Sequence, residues 1–481
     1  MNIDKKLEIF KKAIKILKNA GADYVDIYYQ NGKSFNAHLE ENKIESTSFS
    51  ISEGVGIRVI KNFKVYFGYT NDIDNTLKVC NSLKESLKEN KNITLNFIKK
   101  ELPLENYYYD FEIEIPLERK IEILKTVNDE IRKKYKKIIQ VTASLSDGIS
   151  NIIILNSEGE IVFDKRPFVL FKVLCVAKNV NNLQTGYESL AIRGGYKSLS
   201  LENFLEKGFK AAKRAELLLT AKEAPAGKFP VVLASEAGGT IIHEAVGHGL
   251  EADLVFQNMS VYKNKLGEKV AKDFITVIDD GTLKGYFGTT AFDDEGTPTQ
   301  KTVLIENGIL KGFMIDKFWS FKLKEDKEFL SKISLTEAEK EFIKNISSTG
   351  NGRRQSFSHV PIPRMRNTFI APGKDNPEDI IKDTKKGILV LKMGGGEVNT
   401  VTGDFMFEVN EAYMIENGKI TYPIKGASLI GNGPKILMEI DALGNDLHFI
   451  PGICGKDGQG VPVTDGVPTL RIPSITIGGT A

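Results

Sequence analysis

Tyr24-Val25-Asp26-Ile27-Tyr28-Tyr29-Gln30-Asn31-Gly32 is the stretch from which the fold can be read. Residues 24–29 alternate apolar and polar side chains, the period of a strand with one buried face. Asn31-Gly32 is the dipeptide that most favours a two-residue hairpin turn. Working backward, Ile3, Leu7, Phe10, Ile14 and Leu17 recur at helical spacing with Lys and Glu between them, and Gly21 closes that helix. Working forward, strands are expected near 34–40, 43–52, 56–61 and 64–69. A helix over 73–89 follows, through Ile73, Leu77, Cys80, Leu83 and Leu87. Residues 1–92 therefore read as an α+β domain, antiparallel strands with helices on one face.

The pattern then recurs without a sequence repeat. Residues 93–116 read as an acidic and aromatic linker. Leu117–Tyr135 is a helix with Ile121, Leu124, Val127 and Ile131 on one face. Strands are expected near 139–145, 151–155, 160–163 and 168–177, with turns at Asp147-Gly148 and Glu158-Gly159, and a helix near 202–219 closes a second α+β domain over 117–222. Ala224-Pro225-Ala226-Gly227 is a small-residue hinge. Beyond it, residues 228–481 form a β-rich domain that opens with a buried strand over Pro230–Ala234, with Ser235 placed to cap the next helix. The Lys- and Glu-rich stretch 322–346 reads as a solvated helical excursion. The fold class is thus α+β: helix and antiparallel-sheet layers first, then a β-rich carboxy-terminal domain that carries a metal site.

That site is announced by Ile242-His243-Glu244-Ala245-Val246-Gly247-His248-Gly249-Leu250-Glu251-Ala252-Asp253. The chain has five histidines, and two of them fall here beside a glutamate. Imidazoles ligate zinc, and a neighbouring carboxylate can serve as general base toward a metal-activated water. The spacing is unusual. Histidines at i and i+4 lie about 40° apart around an ideal helix, whereas these, at i and i+5, would lie about 140° apart. Two adjustments would bring them together. Either the helix ends at Gly247 and His248 comes from the turn, or a π-bulge absorbs the extra residue.

Composition bounds the partners. Hydrophobic residues make up 41% and charged residues 27%, ordinary for a globular protein. With 65 basic and 63 acidic residues the net charge is +2, which gives no electrostatic case for nucleic acid. No apolar run approaches the ~18 residues of a membrane helix, and the first helix is amphipathic rather than a signal sequence. The three cysteines are too few and too scattered for a disulfide framework, so a cytoplasmic protein is expected.

The flanks of the histidine motif carry a wider resemblance. Glu236-Ala237-Gly238-Gly239-Thr240 leads into His243, Glu244, His248 and Asp253. Further on stand Asp293-Asp294-Glu295-Gly296-Thr297-Pro298-Thr299-Gln300, Gly350-Asn351-Gly352-Arg353-Arg354, and Pro363-Arg364-Met365-Arg366-Asn367-Thr368. Gly394-Gly395-Gly396 precedes Gly403-Asp404-Phe405, Gly426–Pro434 follows, and Cys454-Gly455-Lys456-Asp457-Gly458-Gln459-Gly460 comes last. In this order, and with Gly54-Val55-Gly56-Ile57-Arg58 near the amino terminus, the chain resembles the TldD branch of the TldD/PmbA family over essentially its whole length. The 322–346 excursion is longer than the family pattern.

The resemblance implies a zinc metalloprotease that hydrolyses peptides and unfolded polypeptides. It implies His243 and His248 as zinc ligands, Cys454 as the third, and Glu244 as the catalytic base. It also implies pairing with a PmbA/TldE-like subunit, with a second copy of the chain as the other option. Three protein ligands and one open position is the usual arrangement of catalytic zinc. Read from its own surroundings, Cys454 could equally be a small buried thiol. Glu251 and Asp253 read as acceptors for a histidine N–H before they read as ligands. Gly394, Gly395 and Gly396 allow a peptide to approach as an added strand. Arg354 and Arg366, with Arg353 and Arg364, could anchor a substrate carboxylate or polarise its carbonyl, or could form structural ion pairs. The alternatives in other classes are a non-catalytic peptide-binding or scaffold subunit and a metal hydrolase of small amides.

Overall fold

The computed structural model describes residues 2–87, 89, 92–180 and 182–479. Seven strands form the amino-terminal sheet: β1 (Tyr24–Glu40), β2 (Lys43–Lys61), β3 (Lys64–Thr70), β4 (Ile98–Lys100), β5 (Ile138–Asn156), β6 (Glu160–Lys178) and β7 (Leu183–Ile192). Their order is β3-β2-β1-β5-β6-β4, with β7 also against β6. All pairs are antiparallel except β4 with β6. The two amino-terminal units expected from sequence are halves of this one sheet, because β1 pairs with β5 from Asp26↔Asn156 to Glu40↔Thr142.

Two expected turns are therefore strand interior. A two-residue turn of the Asn-Gly kind requires left-handed backbone at both positions. Neither Asn31 nor Gly32 has it; the turn falls instead at Glu41 (φ 46°) and Asn42 (φ 67°). Gly32 faces Ser150 and Gly148 faces Ser34 across the β1–β5 ladder, so both glycines are flanked by paired strands. The strands expected as 43–52 and 56–61 are the single β2, those near 139–145 and 151–155 are β5, and those near 160–163 and 168–177 are β6. Glu158-Gly159 does turn, between β5 and β6.

Alternation along these strands sorts the molecule into layers. Odd-numbered residues face the helices α1 (Ile3–Asn19), α2 (Thr76–Lys84), α3 (Leu117–Lys134) and α4 (Leu201–Leu218). Ile27, Tyr29, Ile153 and Leu155 pack with Phe10, Ile14 and Leu17. Phe35, Leu39, Val141, Leu145 and Phe171 pack with Leu124, Val127, Ile131 and Phe204. On α3 the buried position is Ile123 rather than the expected Ile121, which is half-buried. α2 ends at Lys84, short of the expected 89, and Lys88 of that range lies outside the described residues.

Even-numbered residues face the carboxy-terminal domain: Tyr28, Ile152, Ile154 and Val162 meet Ala291 and Phe292. This joint also holds a buried charge cluster. Arg58 lies 2.6 Å from Asp26 and 2.7 Å from Glu295, all three fully buried. Breaking such a buried set by removing one partner costs about 3–5 kcal/mol. The sheet is thereby locked to the domain that bears the histidines.

Among its described residues that domain contains two larger sheets and a two-stranded one, Gly352–Arg353 with Ile362–Pro363. One larger sheet includes Gly227–Leu233, Lys386–Val398, Asp404–Glu416, Ala427–Asn432 and Leu470–Gly478; the other includes Val277–Asp280, Lys301–Glu306, Asn367–Ile370, His448–Lys456 and Gln459–Val467. Between them runs the histidine segment. Its Ala245, Val246 and Leu250 share one core with Val231, Leu233, Val390 and Phe407 of the first sheet and Ile370, Val461 and Val463 of the second. The stretch 322–346 is less solvated than its composition suggests. Helices span Lys317–Glu325, Lys327–Lys332 and Glu337–Lys344, and Trp319, Leu323, Ile343 and Ile346 are buried in the same core. No helix among the described residues is long and apolar enough to cross a membrane.

Candidate metal centre

The strand Gly227–Leu233 ends at the sheet edge and the chain turns through Ser235–Ala237 into Gly238 (φ 96°). Ser235 does not cap the helix; its backbone N–H donates to Thr469 Oγ1 at 3.2 Å. The helix begins after Gly239 as Thr240–Ile242 and widens at once into a π-helical turn over His243–Gly247. The His248 N–H donates to the His243 carbonyl, an i to i+5 bond, and a 3-10 turn over His248–Leu250 follows. Of the two adjustments open to the sequence, the π turn is the one present. It stacks residues five apart on one face, and the two imidazole rings stand 5.0 Å apart, nearly perpendicular.

Close backbone approach fixes where this segment sits. A Cβ on Gly239 would fall 2.5 Å from the Gly466 nitrogen and 2.7 Å from the Asp465 carbonyl carbon. Neither atom can rotate away. Gly239→Ala should therefore lower stability by about 1–3 kcal/mol or more, and it should loosen the contact between His243 and the Gln459–Val467 strand. Thermal melting and metal affinity should fall together; an alanine variant unchanged in both would refute this account of the turn.

The third residue arrives from far along the chain. Cys454 is not in an irregular loop but in the strand His448–Lys456, paired opposite Val461 of Gln459–Val467. The pair closes at Asp457 (φ 50°) and Gly458 (φ 70°), a left-handed two-residue turn. Cys454 Sγ lies 3.1 Å from His243 Nε2 and 3.5 Å from His248 Nε2. One donor atom from each of the three residues lies within 4.8 Å of the others, and all three residues are buried. A tetrahedral zinc with bonds of 2.0–2.1 Å to nitrogen and 2.3 Å to sulfur would separate N and S by about 3.5 Å.

Both histidines are oriented from behind. His243 Nδ1 meets Asp465 Oδ1 at 2.8 Å, and His248 Nδ1 meets Glu251 Oε2 at 2.9 Å. Each carboxylate accepts from an Nδ1–H and so turns Nε2 toward Cys454, the usual support of a metal-binding histidine. Glu251 thus takes the N–H acceptor role read from sequence. Asp253 does not: it pairs with Lys456 Nζ at 2.7 Å, and the same ammonium reaches Glu251 at 2.9 Å. Asp465 and Lys456 are the site residues that sequence reasoning missed. Lys456 stands two residues from Cys454 in a stretch already marked by the resemblance, whereas nothing in local spacing ties Asp465 to His243.

Charge in the site follows from burial and these neighbours. Burial opposes the charge on both imidazoles. Asp465 and Cys454 outweigh it at His243, holding its pKa well above the ordinary value, and Glu251 does so at His248, which is raised to about 9. Burial would raise the Cys454 thiol, but the two histidines bring it down to about 4, so it is a thiolate. Burial likewise opposes the Glu251 charge, and Lys456 and His248 reverse this to bring it to about 2. Burial pushes the Glu244 carboxyl up. Its side chain keeps 23% of its surface open, and Oε2 stands 3.8 Å from His248 Nε2.

The other candidates lie elsewhere. Arg354 and Arg366 are buried and committed. Arg366 donates to the Gly350 carbonyl at 2.6 Å and Thr290 Oγ1 at 2.7 Å; Arg354 reaches the Asp294 carbonyl at 2.9 Å and Asp26 at 3.2 Å. Arg364 ties the Cys454 carbonyl at 2.6 Å and so steadies the ligand strand. Gly394 is half-buried and Gly395 and Gly396 are exposed, near the end of the strand Lys386–Val398. On that strand's far side from Asp404–Glu416, pairing with Gly227–Leu233 stops at Val390. Cys80 and Cys175 are buried core residues.

Comparisons with known proteins place the chain in a family. Family models described as PmbA/TldA metallopeptidase domain 1, central domain and C-terminal domain match residues 25–93, 112–219 and 226–479. A metalloprotease TldD homolog of Buchnera aphidicola is 36% identical over 95% of this chain and 93% of its own length. A zinc metalloprotease TldD homolog of Saccharolobus solfataricus is 27% identical over 97% of this chain and 99% of its own. Among solved structures, TldE from Thermococcus kodakarensis shares the fold, with a TM-score of 0.74 at 21% identity over 98% of this chain and 100% of that one.

Proposed function

Since this chain belongs to the PmbA/TldA metallopeptidase family, we propose that it is a zinc-dependent peptidase in which His243, His248 and Cys454 hold the metal and Glu244 is the general base. The observation that carries the reading is the convergence of two Nε2 atoms on one thiolate, each imidazole turned by its own carboxylate. When bound, zinc would supply Lewis acidity toward the scissile carbonyl and toward water.

The chain's own residues do the rest. Asp465 and Glu251 hold the imidazoles in place through their Nδ1 atoms. Glu244, partly open and with a carboxyl raised by burial, is suited to accept the proton of the attacking water and return it to the leaving amine. The strand edge at Gly394, Gly395 and Gly396 would take the substrate backbone as an added strand, which confers little side-chain preference. Arg354 and Arg366 are held by buried hydrogen bonds, to the Asp294 and Gly350 carbonyls, and would brace the walls around the substrate.

Two further parts of the reading concern surroundings. Free cysteines throughout are in keeping with a reducing, cytoplasmic setting. The working unit is a dimer, with a TldE-like chain or a second copy as partner, whose active sites face an enclosed space. Such a space admits an extended chain and excludes a folded domain.

The test uses purified full-length protein with its metal content determined. Unstructured peptides should be cut and stably folded proteins should survive, with activity lost to a chelator and restored by zinc. Cleavage of a rigid folded protein at an internal loop by the monomeric chain would rule the enclosed site out. Cleavage that persists after complete zinc removal would rule out the metal mechanism.

A further inference from the structure

A cavity of about 310 Å³ lies between the even-numbered face of the amino-terminal sheet and the carboxy-terminal domain. Four arginines line it: Arg166, Arg193, Arg353 and Arg354. Two are neutralised. Arg166 pairs with Asp164 at 2.8 Å and Asp294 at 2.5 Å, and Arg354 reaches Asp26 at 3.2 Å. The other two are not. Among the described residues, no carboxylate oxygen comes within 4.0 Å of the Arg193 or Arg353 guanidinium.

Arg353 spends two nitrogens on the Met365 and Pro462 carbonyls, at 2.5 and 2.7 Å. Arg193 is 7% exposed, and its guanidinium makes one hydrogen bond among the described residues, Nε to the Phe287 carbonyl at 3.0 Å. Asp294, the carboxylate in the wall, is already taken by Arg166 and by the Arg354 N–H at 2.8 Å. Neither guanidinium thus has a carboxylate paired to it: Asp294 acts on both through space and Asp164 on Arg193, and an anion in the cavity would supply the direct contact that these two buried charges lack. Burial pushes Arg193 down to about 10. Burial and then the Arg366 charge push Arg353 well down too, with Arg193 adding to the repulsion.

The remaining walls say which anion. Phe168, Leu170, Phe287 and Ile453 bring apolar surface to the cavity, and the exposed Gln355 and Ile453 stand where it meets solvent. We propose that this cavity binds a carboxylate carried on an apolar group: the free guanidinium edge of Arg193 takes the two oxygens, and the apolar walls take the attached side chain. The C-terminus of a peptide is the source implied by the peptidase reading, on which that identification of the source rests; the carboxylate site itself does not depend on it. The cavity shares a strand pair with the metal centre: Ile453 precedes Cys454, and the Arg353 guanidinium holds Pro462 on the paired strand.

The probe is a fluorescein-labelled Ala-Ala-Ala-Phe peptide, as free acid and as C-terminal amide, binding to full-length Glu244→Gln protein, in which cleavage is slow on the time of the measurement. The acid should bind about tenfold tighter than the amide, a difference of one decade in Kd. Adding Arg193→Met should bring the acid to the affinity of the amide. Gln355→Glu keeps an oxygen for the Gly460 N–H that Gln355 Oε1 accepts, places a negative charge at the mouth, and should act in the same direction even if Arg193→Met fails to fold.

Chelation arms separate this site from the metal. The acid preference should survive zinc removal; its loss with the zinc would assign the carboxylate to the metal and overturn the proposal. Equal affinity of acid and amide, or a preference untouched by either variant, would also overturn it. Calorimetry with 3-phenylpropionate separates the sources. Binding of that acid, abolished by Arg193→Met in protein that ignores peptides, supports the site and assigns it to free acids, whereas failure of both probes to bind refutes it.

Discussion

Cys454→Ala should strip the chain of zinc while leaving it folded. The thiolate is the one anionic donor among the three converging atoms, and it lies within 3.5 Å of both imidazole nitrogens. Loss of an outer-shell partner alone typically costs 10–100-fold in metal affinity, so removing a ligand should cost more than about 100-fold. The fold has little stake in the sulfur. Cys454 is one small side chain in a core that spans both carboxy-terminal sheets, and Arg364 holds its backbone carbonyl, which alanine retains. Metal analysis and thermal melting on the same preparation decide the matter. Full zinc occupancy in the alanine variant would point to another third ligand, such as Glu251 or Asp253.

The second large effect belongs to Glu244. Glu244→Gln keeps shape and volume and removes the proton acceptor. The residue is a metal ligand in no part of the arrangement, since the converging donors are supplied by its neighbours. Zinc content should therefore hold at the wild-type level while kcat for an unstructured peptide falls about 10²–10⁴-fold, the usual contribution of a general base. The pairing with Cys454→Ala is informative: one variant loses metal and activity together, the other loses activity alone. A glutamine variant that cleaves at the wild-type rate would leave the hydrolytic scheme without its base.

What could be read without coordinates follows from how far each signal reaches along the chain. The spacing of His243 and His248 showed that a regular helix would not serve, and the π turn is one of the two remedies that geometry allows. Glu251 lies three residues from His248, within reach of local reasoning. Asp465 is 222 residues from His243 and has no local signature, so it emerged when the Gln459–Val467 strand was seen beside the helix. Asn31-Gly32 failed as a turn for a similar reason. The dipeptide permits a left-handed turn without demanding one, and β5, which holds it extended, lies far downstream. The arginines between 353 and 366 read equally well as substrate anchors or as structural partners. Their hydrogen bonds to carbonyls settle which atoms they serve, and no sequence pattern encodes that.

The ladder between β1 and β5 has a consequence for how the protein is made. Asn36 and Ser146, hydrogen-bonded across that ladder, are 110 residues apart. At 5–20 residues per second, a ribosome takes about 5–20 s to deliver the second after the first. For that interval the β1–β2 hairpin waits with the long β1 edge, from Asp26 to Glu40, unpaired. An open edge of that kind can recruit the same segment of a neighbouring nascent chain. The amino-terminal hairpin is therefore the part of the molecule where crowding during synthesis competes most directly with correct assembly, well before any residue of the metal centre has been translated.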